Sequence, residues 1–166
     1  AAKMGIVGFT LVSTRTAVSQ TELPPLGIVV GSLVVLVIGA ALGVGGLLGK
    51  HSLRCLLWAS GGSFFYGLSS ALVKVMSHLV GGPQFWETPL FWAVAVFLAI
   101  CYTGGGFMIQ QAYANGPAEI VVGSMTTTDP IVAVTFGLVV LGEGALVSLP
   151  DALGMLVAGA VAIGGV

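Results

Sequence analysis

Long apolar runs, cut by short polar breakers, set the pattern of this chain. Five runs stand out, at Leu26–Gly49, Leu53–Ser77, Pro89–Ala114, Ala118–Leu141 and Val147–Val166. At ~1.5 Å per residue, each is long enough to cross a hydrocarbon core of ~30 Å as a helix. The breakers are "TELPP" before the first run, "KHS" after it, "GGPQFWETP" before the third, "NGP" before the fourth and "GEG" before the fifth. Gly116 and Pro117 are the sharpest of them, a helix stop followed by the proline that starts the next helix. A shorter apolar run, Ala1–Ser13, comes first. It falls short of a span of ~20 residues and follows neither an initiator Met nor a basic stretch. It is expected to be the tail of a helix that begins further upstream. The prediction is an all-α, polytopic transmembrane helix bundle of about five full spans plus a partial N-terminal helix. Residues 1–13 form the helix tail, 14–25 a loop and 26–166 the bundle.

Composition agrees with this pattern. The chain of 166 residues is 57% hydrophobic and 7% charged, against about 25% charged for a soluble domain. So few ions cannot cover a water-facing surface. A formal net charge of −1 gives no basis for nucleic-acid binding. The 26 glycines lie within apolar runs, as in membrane helices, rather than in polar linkers. Cys55 and Cys101 read as small buried residues, not as a disulfide or a metal site. His51 and His78 fall at expected membrane edges and read as interfacial. No Ser/His/Asp set, paired carboxylate or metal-ligand spacing is present, so neither an enzyme nor a bound cofactor is predicted. Gly104, Gly105 and Gly106 lack the context of a phosphate loop.

Orientation follows from basic residues in short loops. Lys50 and Arg54 flank the "KHS" turn and place it in the cytoplasm. The "GGPQFWETP" loop then lies outside, "NGP" inside and "GEG" outside, which leaves the C-terminus inside. Arg15 and Lys74 fall toward the outer side. Phe85, Trp86 and Trp92 suit an aromatic belt at the outer surface.

Polar and small residues interrupt the runs at helical spacing. Ser60, Ser63, Gly67, Ser70 and Lys74 step by 3, 4, 3 and 4 along one face of the second run. Such a face either packs against another helix or lines a wet cavity. Gly39 and Gly43, and the series Gly154, Ala158 and Ala162, read as close-packing faces. The fourth run contains "SMTTTDPIVAVTFG". Asp129 is twelfth of its 24 residues, close to mid-membrane. A charge there costs at least about 2.5–3.5 kcal/mol and so faces the bundle interior, a partner or water. Pro130 supplies no N–H, so the Thr126 carbonyl loses its helical donor. The sequence therefore predicts a broken helix at Pro130, with threonine and backbone oxygens beside a carboxylate. Two readings of Asp129 stand side by side: an ionisable site residue, or a cap that holds the broken helix. Tyr102, Gly106, Gln110 and Tyr113 share roughly one face of the third run. Gln110 and Tyr113 are candidates to face a substrate, or are simply interfacial. Glu119 reads as a first-turn carboxylate complementing the helix dipole. Lys74 lies about 13 Å further out than Asp129 by residue count, too far for a direct ion pair.

The stretch "QQAYANGPAEIVVGSMTTTDPIVAVTFGLVVLGEG", with the Gly-rich final run, resembles the drug/metabolite transporter superfamily, closest to its EamA-type and NIPA-type branches. "GGSFFYGLSSALVK" resembles the helix preceding that pair. The resemblance covers about Leu53 to Val166. It implies half of an inverted-repeat transporter working by alternating access. Residues 26–166 would be the second repeat, with 1–13 the last helix of the first and 14–25 an extracytoplasmic loop. The expected function is secondary transport of a small metabolite or ion. Its substrate-binding candidates are Asp129, Thr126, Gln110, Tyr113, Ser63 and Ser70, with helix breaks at Pro130, Gly116 and Pro117. The expected partners are a substrate, the bilayer, the first repeat and a dimer or larger membrane complex, in a bacterial plasma membrane. The alternatives are a non-transporting subunit that scaffolds a membrane complex, and magnesium transport of NIPA type. Magnesium favours one or two carboxylates with retained waters, and Asp129 is the single deep carboxylate in view.

Overall fold

The apolar runs become helices with nearly the predicted bounds. The computed structural model describes residues 24–82 and 84–142. Within them are four long helices: α1 (Pro25–Leu48), α2 (His51–Val80), α3 (Pro89–Asn115) and α4 (Ala118–Val139). A single 3-10 turn, Phe85–Glu87, precedes α3, and no strand occurs among the described residues. All four helices are long and apolar enough to cross a membrane. The predicted fifth span, Val147–Val166, the helix tail 1–13 and most of the 14–25 loop lie outside the described residues.

Local chemistry sets the ends. Pro25 opens α1 and Pro89 opens α3, each in the first turn, where a missing N–H costs nothing. The Gly49 N–H closes α1 by donating to the Gly45 carbonyl at 2.7 Å. Arg54 Nε then donates to the Gly49 carbonyl at 3.2 Å. This places a cation at the C-terminal end of the α1 dipole. Gly116 and Pro117 separate α3 from α4, as predicted. Glu119 sits exposed in the first turn of α4. At Pro130 the prediction fails. The helix runs unbroken from Ala118 to Val139 with the proline inside it. Proline removes one donor, and packing on both sides of that gap holds the helix together.

That packing centres on α2, which touches α1, α3 and α4, while those three touch one another little. In its most apolar stretch 61% of α2 is buried, against 22%, 17% and 28% for α1, α3 and α4. Yet α2 is the least apolar of the four and α1 the most. Water would select the reverse, so this inversion fits lipid, where large apolar side chains face outward and small residues face inward. Val30, Leu33, Val34, Val37 and Leu47 of α1 are accordingly exposed.

Three glycines let α2 approach its neighbours. A Cβ on Gly61 would lie 3.0 Å from the Gly39 carbonyl oxygen of α1, and one on Gly62 3.2 Å from the Gly105 carbonyl of α3. One on Gly67 would lie 2.7 Å from the Asp129 carbonyl of α4. Each interface of the central helix therefore has a neighbour's backbone seated on a glycine. Phe65 fills the remaining space between α1 and α3. Side chains added at Gly39 or Gly104 would come within 2.7 and 2.8 Å of its ring. The paired positions show that α1 and α3 run antiparallel to α2, and that α4 runs parallel to it.

Gly67→Ala is expected to lower the unfolding free energy of the full-length protein by about 1–3 kcal/mol through overpacking. At Gly123 an added methyl meets nothing within 4 Å, so Gly123→Ala should leave stability unchanged or raise it by about 0.5–1 kcal/mol. Denaturant titration in mixed micelles measures both. Equal losses at the two sites would contradict this packing.

Candidate functional site

The α2–α4 seam brings part of the predicted constellation together. Ser60 and Ser124 meet across it, hydroxyl to hydroxyl, at 3.2 Å. Seven residues further along α2 and five further along α4, the Asp129 carbonyl and the Val132 side chain rest against Gly67. Asp129 and Gly67 both stand near the middle of their helices, so the carboxylate is at mid-depth by helix position. Asp129 is half-buried. Its carboxylate makes no hydrogen bond or ion pair with any described residue. Lys74 is exposed and stands seven residues beyond Gly67, about 10 Å further along α2.

The threonines serve the backbone. Thr126 Oγ1 donates to the Val122 and Gly123 carbonyls, at 3.0 and 3.1 Å. Thr127 Oγ1 lies 2.8 and 3.2 Å from the Gly123 and Ser124 carbonyls. Such back-bonding slightly loosens and bends a helix. Here it comes one turn before a proline, so two local perturbations coincide beside Asp129. Neither hydroxyl is bonded to the carboxylate.

The other candidates lie apart. Ser63 has no exposed surface, and its hydroxyl donates to the Ala59 carbonyl at 2.8 Å. Ser70 is exposed and bonds the Tyr66 carbonyl at 3.1 Å. The predicted serine stripe therefore divides. Ser60 and Gly67 pack on α4 and Ser63 is enclosed beside them, whereas Ser70 and Lys74 emerge at the surface. Gln110 and Tyr113 are exposed. They lie outside the α3 face of Cys101, Gly105, Met108, Ile109 and Ala112 that is buried in the bundle. Asp129, Phe136 and Val140 share one flank of α4, spaced by seven and four residues. Phe136 and Val140 face Gly31 of α1, at 3.2 and 2.7 Å from a Cβ placed there. Asp129 is thus turned toward the α1 side of α4. Since α3 and α4 pack on different sides of α2, the structure does not bring Asp129 together with Gln110 and Tyr113.

Two polar residues had escaped notice in the sequence. Ser124 is the α4 half of the seam hydrogen bond; its signal was a serine five residues before the Asp-Pro pair. Ser32 of α1 is fully buried, and its hydroxyl has no partner. Nothing in its apolar surroundings in sequence marked it. No group of three or more His, Cys, Asp or Glu that could hold a metal occurs among the described residues.

The fold and this seam define an integral membrane protein built as a helix bundle. Compared with known proteins, the chain matches no family model, no curated protein and no solved structure.

If the seam hydrogen bond forms in the membrane, Ser60→Ala and Ser124→Ala should couple by about 0.6 kcal/mol in a double-mutant cycle of unfolding free energy. Additive losses would show that the two hydroxyls do not meet.

Proposed function

We propose that the chain is part of a secondary transporter that moves a small metabolite or ion by alternating access, with Asp129 as its ionisable site residue. The observation that carries this reading is a carboxylate at mid-depth in an apolar helix, half-buried and without a described protein partner. A group so costly to place in the membrane is retained where it meets a proton, a cation, a substrate amine or water. Its setting suits that role. Pro130 and the back-bonded threonines make α4 locally compliant, while Gly67 and the Ser60–Ser124 contact fix its inner half on α2. The likeness of residues 53–166 to the drug/metabolite transporter superfamily points the same way. In that reading the chain contributes a second inverted repeat, in a bacterial plasma membrane, with its C-terminus in the cytoplasm.

A second reading, a scaffold subunit of a larger membrane complex, draws support from one observation. Gln110 and Tyr113 do not converge on Asp129, so the described helices supply a single ionisable group rather than a full binding shell. Magnesium transport is the weakest of the three readings, because one carboxylate is a poor site for a cation that prefers several oxygens.

The test is uptake by the full-length protein in proteoliposomes, across a panel of labelled amino acids, amines and divalent cations. Asp129→Asn should lower uptake of whichever compound is carried by on the order of tenfold or more, the loss of a charged contact of about 1.5–3 kcal/mol. Expression and elution volume should stay unchanged. Full uptake without the carboxylate would remove Asp129 from the site. Co-purification at fixed stoichiometry with other membrane subunits, and no uptake of any panel member, would favour the scaffold.

A further inference from the structure

The hydrogen-bond donors around Asp129 are already engaged. Orphan N–H groups are confined to the first turn of a helix, and α4 is continuous from Ala118 to Val139. A carboxylate in its middle therefore has no backbone donor to cap. The residues three and four positions away share its face: Met125, Thr126, Val132 and Ala133. Of these only Thr126 carries a donor, and its hydroxyl is bonded to the Val122 and Gly123 carbonyls. Thr128 and Thr127 point away, about 100° and 200° round the helix, and the Thr127 hydroxyl serves the Gly123 and Ser124 carbonyls.

Charge is equally remote. The α1 helix, which the Asp129 flank faces, has no titratable residue. Its buried Ser32 hydroxyl adjoins Gly31, which is level with Phe136, about 10 Å beyond Asp129. On α2, Gly67 is level with Asp129 and Tyr66 is turned toward Gly105 and Gly106 of α3. Lys74 lies about 10 Å further along α2 and Arg54 about 20 Å back. Glu119 of α4 is about 15 Å away. Cys101, Tyr102 and Tyr113 belong to α3, on another side of α2.

The group that remains within reach is an acceptor. Pro130 supplies no N–H to the Thr126 carbonyl. That carbonyl lies three residues before Asp129, on the N-terminal side, toward which helical side chains lean. Ser69, Thr126 and Thr127 each have a hydroxyl bonded to the carbonyl three residues back, so the geometry is used elsewhere in this bundle. An ionised carboxylate only accepts hydrogen bonds, whereas a protonated one also donates. The surroundings satisfy the neutral acid and leave the ionised form without a donor.

We infer that Asp129 binds a proton, and that its O–H donates to the Thr126 carbonyl left free by Pro130. The carboxylate takes the proton from water on one side of the membrane and returns it to water on the other. The O–H bond is the only bond made or broken. The role of this proton as the coupling ion rests on the transport reading; the protonated acid itself does not.

Infrared spectroscopy of the full-length protein in phosphatidylcholine vesicles at neutral pH tests this. A protonated carboxylic acid shows a C=O stretch clear of the amide bands. Wild type should show such a band, and Asp129→Asn should lose it while assembling normally, because the Asn amide N–H can replace the O–H. Pro130→Ala returns an N–H to the Thr126 carbonyl, weakens the acid's hydrogen bond and should move the band to higher frequency. Identical spectra for wild type and Asp129→Asn would overturn the proton, and an unmoved band in Pro130→Ala would overturn its Thr126 partner. Where Asp129→Asn does not assemble, the shift in Pro130→Ala decides alone. The band is read without substrate. Its presence with no uptake of any panel compound would remove the transport reading and leave the proton site, whereas Asp129-dependent uptake without the band would do the reverse.

Discussion

Close backbone approach at three glycines of one helix is the constraint on which the rest of this structure depends. In lipid no hydrophobic effect drives helix against helix, because the surroundings are as apolar as the side chains. What remains is dispersion, which needs contact, and contact between backbones needs the smallest residue. Gly61, Gly62 and Gly67 give α2 that contact with α1, α3 and α4 in turn. The large residues of the core follow from it. Phe65 fits its ring into glycine notches on two neighbours, and Trp58 packs against Gly43 and Gly46 with the Phe107 ring edge-on at 6.0 Å.

The same constraint accounts for α4. A proline inside a helix removes a hydrogen bond and pushes on the preceding turn. In a free helix this would kink or break it. Here the turn on either side of Pro130 is held, by Gly67 against the Asp129 carbonyl and Val132, and by Ser60 against Ser124. The backbone of Asp129 is thereby fixed while its side chain is left to the α1-facing flank.

Much of this was legible in the sequence, for physical reasons that also explain the failures. The span bounds were readable because lipid demands unbroken apolar runs of known length, and because Gly116-Pro117 and Pro89 punctuate them. Observed helix ends fall within three residues of the expected ones. The spacing of Ser60 and Gly67 marked a shared face of α2 and left packing and a wet cavity open; the structure packs both on α4. The C-terminal part of the serine stripe was not legible, because Ser70 and Lys74 keep the spacing and yet are exposed. The broken helix at Pro130 was wrongly expected, since local propensity cannot register the support that Gly67 supplies from another helix. Gln110 and Tyr113 were singled out by a face of α3 shared with Tyr102 and Gly106, a face the structure leaves exposed at Gln110 and Tyr113. Which way α3 faces is set by Cys101, Gly105, Met108 and Ala112, whose small or flexible side chains carry little periodic signal.

The most direct test of the glycine account is the separation of the Gly67 Cα and the Asp129 carbonyl in the bilayer. Solid-state NMR can read it from selectively labelled protein, because Asp129-Pro130 is the one Asp-Pro pair in the chain. The account predicts a strong dipolar coupling between the two carbons, with the Cα in contact with the oxygen at about 3.3–3.6 Å. No measurable coupling, as expected for helices held apart by side chains at an axial spacing of about 10 Å, would contradict it.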